Sequence, residues 1–578
     1  MSLQWRGLQG FGLLRHSLRP LSGQGALACL ALPHLWIERP RITALWSDFG
    51  GNQLMFHSQT RLAVSTLALA MALGAAVPAS AETFRWATTS DPNTMDPHGA
   101  SSAPVLGFLN NVYEGLVRRD RTMAVEPALA VRWEALGDEG WRFHLREGVT
   151  FHNGAEFTAD DVLFSYERAS GETSDVRSWF ATVSEVNVVD DYTIDFMTSA
   201  PNPIFPGSIA NFMIMDRDWS VENGAETPAT DEERFTTLNA NGTAAFQVVE
   251  RSPGVRTVLE PFDGWWGEVE HTITQAIYTP IQSDATMLAA LIAGDVDFIN
   301  PVPIQNVERL QNTDGMNVIV GEEARVMMLG FPHEAETLTF DGSPNPFADV
   351  RVRQAVYHAI NVDAIDTTIM RGAVEPVSQL VTPDMRGYSA SLPDRLDYNP
   401  DGARALLAEA GYEDGFTFSL MCPNDRYIND AAVCQAVVAM LAQVGITVDL
   451  NTMPVANYWP ELRADNFDMY LLGWSPGTFD HEHPIRFLVS TPNEERRLGS
   501  WNFGGFSNDR VDELLPAVQS EVDEGVRQSM LDEITSIYQD EVAYVPLYSQ
   551  PILWGVRDGV EVSPRSDNFF ILRWVSVE

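Results

Sequence analysis

The stretch Trp141–Arg168, "WRFHLREGVTFHNGAEFTADDVLFSYER", decides what kind of chain this is. Trp141, Phe143 and Leu145 alternate with polar residues, the period of a half-buried strand. Arg146–Gly154, "REGVTFHNG", reads as a hairpin-like turn and a short extended piece. Thr158 then opens a helix with Asp160 and Asp161 in its first turn, where carboxylates meet the positive end of the helix dipole. A strand, a turn and a capped helix in one run mark an α/β chain.

The same alternation extends outward. "ETFRWATTS" (Glu82–Ser90) predicts a strand with Phe84 and Trp86 on one face, ending in a turn forced by two Asp-Pro steps. Val105, Leu106, Leu109, Val112, Tyr113 and Leu116 have helical spacing, and the apolar run "FDMYLLGW" (Phe467–Trp474) predicts a buried strand. At 578 residues the chain exceeds what one core holds, so two or three lobes are expected. A hydrophobic content of 45% with 20% charged residues excludes wholesale disorder.

Residues Met55–Ala81 carry His57 and Arg61, an apolar run from Leu62 to Val77, and Ala79-Ser80-Ala81 before Glu82, the pattern of a cleaved secretory signal peptide. Residues 1–54 show no period and read as a start codon assigned too early or a disordered extension. The leader's apolar run is too short to span a membrane and no second candidate follows, so a soluble exported protein with no membrane insertion is expected; no cysteine stands directly after the cleavage site to carry a lipid anchor, so free diffusion in the periplasm of a Gram-negative bacterium is expected.

Every basic residue is an arginine. Removing residues 1–81 takes away six arginines and two acids, so the charge of −42 becomes −46. That field repels nucleic acid and anionic lipid, which drop out as partners. Of three cysteines, Cys29 leaves with the leader; Cys422 and Cys434 remain in an exported chain, and a disulfide pinning a strand end to the following helix is expected.

"GWSPGTFDHEHP" (Gly473–Pro484) admits three readings. As a hydrolase elbow it fails, because the residue after Ser475 must donate a backbone N–H to an oxyanion and Pro476 has none. As a metal site, His481 and His483 would face one side of an extended chain, with Asp480 and Glu482 on the other, a donor set suited to nickel or zinc. As the rim of a pocket, it sits beyond a strand C-terminus, where open α/β sheets bind ligands. The pocket rim is the preferred reading; the metal site is the alternative.

Several blocks occur in an order that resembles the family 5 extracellular solute-binding proteins, receptors of peptide and nickel ABC importers. They are Trp141–Arg168 itself, "NNVYEGLVRRD" (Asn110–Asp120), "EPALAVRWE" (Glu126–Glu134), "NGTAAFQVVERSPGVRTVLEPFDGWWG" (Asn241–Gly267), "NPFADVRVRQAVYHAINVDAI" (Asn345–Ile365), "YNPDGARALLAEAGY" (Tyr398–Tyr412) and "GITVDL" (Gly445–Leu450). Ala244 and Ala245 depart from the family's Gly-Pro pair. The resemblance implies a two-lobed periplasmic-binding-protein fold of type II, cluster C-like, with an extra domain inserted in the first lobe. It places the first lobe at 82–118, 238–330 and 546–578, the inserted domain at 119–237 and the second lobe at 331–545.

It also implies a binding protein and not an enzyme, without cofactor: a monomer that captures a small molecule, an oligopeptide or dipeptide, and docks on an inner-membrane ABC permease. A receptor for nickel or a metal complex is the alternative, and an exported hydrolase the remote one. The expected ligand-binding residues are Trp474, Ser475, Asp480, Glu482, Arg386, Tyr388, Asn93, Met95, Asn424 and Trp501, with Arg426 and Tyr427 beside Asn424. In dipeptide receptors an aspartate shortly after Gly-Trp takes the peptide amine; the matching position here is Gly477, so Asp480 or Glu482 would have to replace it.

Overall fold

The structure is a computed structural model that describes residues 82–228, 234–393, 395–493, 496 and 498–578. The expected leader lies outside the described residues.

An eleven-stranded sheet runs through the molecule. From one edge its strands are Thr447–Met453, Thr417–Pro423, Met469–Trp474, Met316–Gly330, Tyr544–Arg557, Phe298–Asn300, Thr83–Thr88, Gln275–Pro280, Arg256–Pro261 and Phe246–Ser252, with Glu375–Pro376 added on Tyr544–Arg557. Thr83–Thr88 pairs in parallel with both neighbours and turns Phe84 and Trp86 into the core, as their alternation predicts. All six residues of Met469–Trp474 are buried, as expected of an apolar run flanked on both edges.

Two strands are much longer than the rest: Met316–Gly330 has 15 residues and Tyr544–Arg557 has 14, and they pair antiparallel along their lengths. One half of this ladder pairs with Phe298–Asn300, the other with Met469–Trp474, so the same two strands tie both halves of the sheet together. Between the halves the register slips: Glu322 faces Pro551 and Val326 faces Ser549, so Glu323, Ala324 and Arg325 stand opposite Gln550 alone. A bulge bends and twists its strand and frees the extra side chains from the ladder.

The opening stretch belongs to a separate four-stranded antiparallel sheet, in the order Ala130–Ala135, Gly140–Leu145, Thr193–Thr198, Val183–Asp190. Its core joins Phe143 and Phe196, ring centroids 5.6 Å apart, to Phe151, Phe157 and Phe205. The helix Ala159–Ser170 starts where Thr158 and the two aspartates place it, and Asp161 accepts the N–H of Thr158 at 2.9 Å. The helix expected from Val105 to Leu116 is shorter, Ala103–Leu109; Val112 and Tyr113 are still buried, in the turn that follows. The Asn111 amide bonds back to the carbonyls of Gly107 and Phe108 and across to that of Phe570, holding that turn.

Cys422, in strand Thr417–Pro423, is disulfide-bonded to Cys434 in helix Asp430–Ala442. Among the described residues no helix is long and apolar enough to cross a membrane.

Candidate functional site

Trp474 ends its strand opposite Val326, the first paired residue after the bulge. The loop that follows it therefore lies where the two halves of the sheet meet. A cavity of about 830 Å³ opens there. One wall carries Ser101, Leu106, Trp179, Asn202 and Asn211; the facing wall carries Trp474, Ser475, Glu482, His483, Arg486 and Trp501. Trp474 packs edge-on to Trp501 at 5.5 Å and lies 5.4 Å from the ring of His483.

A second cavity of about 530 Å³ lies at the bulge itself, and residues of the helix Ala103–Leu109 line both. Trp86, Phe108, Tyr278 and Phe570 form its apolar side, and Asn300 and Asn568 are among its polar groups. The bulge adds charge. Arg325 Nε donates to Glu323 at 2.7 Å, and the Gln550 amide donates to the other Glu323 oxygen at 2.8 Å. Burial works to lower the Arg325 pKa, but the Glu323 carboxylate overrides it and the net shift is upward. Arg426 stands at the mouth of the same cavity, exposed, over the Tyr427 ring at 5.1 Å. Desolvation and then the Arg325 charge draw its pKa below the ordinary arginine value, and it makes no ion pair among the described residues. A planar guanidinium without a carboxylate partner, in a concave site with aromatic walls, suits a ligand carboxylate.

The expected site residues divide by location. Trp474, Ser475, Glu482 and Trp501 line the larger cavity. Asn424 lines a neighbouring cavity of about 580 Å³, together with Arg426. Asp480 and Arg386 do come together, at 3.5 Å, but in a fourth cavity of about 500 Å³ beside Trp133 and Trp141. Arg386 also pairs with Glu524. Asp480 is committed to buried Arg527, whose Nη2 donates to Oδ1 at 2.7 Å. Asp480 Oδ1 is thus taken by Arg527 while Oδ2 makes no hydrogen bond, and Arg386, paired with Asp480 and Glu524, is not a free fork.

Three further expectations do not fit their positions. Met95 is 0% exposed in the core behind Thr83–Thr88, because the turn folds inward there. Asn93 is exposed on that turn and lines none of these cavities. Tyr388 packs in a small cluster around Val381 and Met385.

The metal reading fails on geometry. Buried His481 is bonded at both ring nitrogens, Nδ1 to the Gly387 carbonyl at 3.0 Å and Nε2 to the Tyr538 hydroxyl at 3.2 Å. Burial pushes its pKa down to about 4, so it stays neutral without a metal. His483 faces the larger cavity instead, and no group of three or more metal-ligating side chains exists among the described residues.

The sequence reading missed Glu323, Arg325, Gln550, Arg486 and Asn568. Arg119 was missed too: its Nη2 donates to the Thr478 carbonyl at 2.6 Å and its guanidinium lies 4.7 Å from the Phe479 ring. Nothing in the local pattern distinguishes these residues from surface polar groups.

The model of the bacterial extracellular solute-binding proteins, family 5 Middle, matches residues 124–495. The dipeptide-binding protein of Escherichia coli (strain K12) is 26% identical over 525 residues, covering 85% of this chain and 94% of that protein. The glutathione-binding protein GsiB of Salmonella paratyphi A is 23% identical over 501 residues, with 85% and 93% covered. Among solved structures, the periplasmic binding protein DppA from Helicobacter pylori in complex with the peptide STSA superposes with a TM-score of 0.70 at 22% identity, covering 86% of this chain and 98% of that one. The fold is the two-lobed type II periplasmic-binding-protein fold. With that fold, and a family model that spans most of its length, this chain belongs to the bacterial extracellular solute-binding proteins of family 5.

Proposed function

We propose that the mature chain, from Glu82 onward, is a monomeric periplasmic receptor that captures a peptide-like small molecule between two lobes and delivers it to an ABC importer in the inner membrane. The first lobe comprises 82–118, 238–330 and 546–578, with 119–237 inserted in it, and the second lobe comprises 331–545. The observation that carries this reading is the cavity of about 830 Å³ walled from both sides of the long strand pair, of a volume suited to small ligands. A ligand that touches both walls does so only when they are close, so its differential affinity favours the closed form, and the bulge at Glu323–Arg325 is the place where the strands bend. Arg426 holds the ligand's carboxylate, and the aromatic wall of Trp86, Phe108 and Tyr278 takes its apolar parts.

The test is native mass spectrometry of residues 82–578 purified from exporting cells, with denaturation to release what co-purifies. Short peptide-like masses are expected. Arg426→Met should weaken binding of the released ligand by roughly tenfold to a hundredfold, the worth of a charge-assisted hydrogen-bond pair. A stoichiometric metal, or unchanged affinity in Arg426→Met, would overturn the assignment.

A further inference from the structure

Arg426 belongs to two cavities at once. It lines the cavity of about 530 Å³ at the bulge and the neighbouring one of about 580 Å³, to which Asn424 and the start of helix Asp430–Ala442 belong. The boundary between them is made by residues common to both. Asn300 and Asn568 are bonded to each other at 3.3 Å, and Asn568 also accepts the Trp554 indole N–H at 2.9 Å. Gln550 donates to Glu323 at 2.8 Å and accepts the Ile428 backbone N–H at 3.3 Å, while Arg325 holds the other Glu323 oxygen. Thr89 and Pro301 complete the rim with short side chains. Every long side chain on this boundary is therefore fixed, with one exception.

The exception is Arg426. Its backbone N–H donates to Asp430 at 3.0 Å, as does that of Tyr427, so its Cα is anchored at the start of the helix. Its side chain is exposed, rests over the Tyr427 ring, and makes no hydrogen bond or ion pair among the described residues. An exposed side chain changes rotamer within picoseconds to nanoseconds, and moving this one breaks no hydrogen bond. A guanidinium on a fixed Cα, with a cavity on either side, meets a carboxylate in each.

No other cation competes for that carboxylate. At the bulge, Arg325 is tied to Glu323. In the outer cavity Arg426 is the only basic residue on the wall, beside Asp284, Asp425 and Asp430. Asn424 and Asp425 are exposed, so the outer cavity opens to solvent and has room for a chain end.

Resting on the reading of Arg426 as the carboxylate partner, we infer that this side chain is a movable anchor, through which the receptor takes peptides of more than one length. A shorter peptide ends in the cavity at the bulge and meets Arg426 from within. A peptide longer by one residue, about 3.3–3.6 Å of extended chain, carries its carboxylate past the Glu323–Gln550 boundary and meets the same guanidinium in the outer cavity. The fixed members of the boundary stay in place, so both lengths keep the aromatic wall of Trp86, Phe108 and Tyr278.

The experiment uses residues 82–578 and peptide mixtures of defined length, from two to eight residues, with free carboxyl termini, competed in native mass spectrometry. At least two consecutive lengths should be retained with affinities within tenfold of each other. Arg426→Met should weaken each retained length by a similar factor, tenfold or more, because all of them end on the same guanidinium. A second set carries p-benzoylphenylalanine as its C-terminal residue: on irradiation the shortest retained length should label the wall of Trp86 and Phe108, and the longest the segment 424–432. A single retained length, one label site for every length, or a loss in Arg426→Met confined to the shortest peptides overturns the inference and leaves the receptor standing. Retention of no peptide overturns the peptide-receptor reading itself, and the inference with it.

Discussion

Arg119 Nη2 donates to the carbonyl of Thr478 at 2.6 Å, joining strand Val117–Arg119 to the loop after Trp474 across 359 residues of sequence. The same guanidinium bonds the carbonyls of Met123 and Gly207, which fix its direction. Burial lowers its pKa to about 10, still well above neutrality, so the clasp is charged under all ordinary conditions. It closes one flank of the larger cavity, of which Thr478 is part of the lining.

On the proposed closure of the two walls this clasp belongs to the closed form, so Arg119→Met should favour the open one. A charge-assisted bond contributes about 1.5–3 kcal/mol, and ligand affinity should fall by roughly tenfold or more. Small-angle scattering should show a larger radius of gyration in the variant without ligand than in the parent. Equal radii would show that Arg119 serves the local turn alone.

Asp480 and Arg527 form a buried ion pair at 2.7 Å, each about 2–3% exposed at the side chain. Removing one partner strands a charge, which costs about 3–5 kcal/mol. Asp480→Ala should therefore lower the urea midpoint strongly, while Asp480→Leu/Arg527→Met should recover much of the loss. If Asp480→Ala instead keeps its stability and loses ligand affinity, Asp480 is a binding residue after all.

Burial depresses the pKa of several histidines, His481 and His152 to about 4 and His98 and His333 to about 3, and lowers His483 and His271 as well. Folding holds them neutral, whereas the unfolded chain protonates them at about 6.5. Their stabilisation is thus complete above pH 6.5 and is lost as pH falls through their folded values, at about 1.4 kcal/mol per pH unit per group. Asp161, raised to about 6 by burial, works in the opposite direction, gaining stability as pH falls from 6. The measurement is the urea midpoint from pH 6.5 to 4: it should fall steeply in the parent and less steeply in His481→Gln. Identical slopes would remove His481 from the account.

The Cys422–Cys434 bridge closes a loop with a sequence separation of 12. Loop-closure entropy puts its contribution at about 3 kcal/mol. Cys422→Ala/Cys434→Ala should lose about that much in denaturant titration without changing ligand affinity, since neither cysteine lines the larger cavity. A large affinity loss would mean that the bridge positions the Asn424–Arg426 turn.

What was legible in the sequence was local. The strand Thr83–Thr88 shows its face through Phe84 and Trp86, the helix Ala159–Ser170 its start through Thr158 and Asp161, and Met469–Trp474 its burial through an unbroken apolar run. That Trp474, Ser475 and Glu482 border a cavity was readable from their place after a strand C-terminus, whereas Trp501 was named for its ring alone. The turn beginning at Asp91 was misread at Met95, since a turn can fold its apolar residue inward or present it, and neighbouring residues do not say which.

The period and ends of these elements are set locally, because side-chain alternation and end-capping act within a few residues of chain. That Asp480 belongs to Arg527, that Arg119 reaches Thr478, that Glu323 and Arg325 leave the ladder, and that Trp474, Glu482, His483 and Arg486 border one cavity came from the fold. Each of these depends on which distant segment lies opposite, and a charged or polar residue has the same local pattern whether it meets solvent, a partner or a ligand.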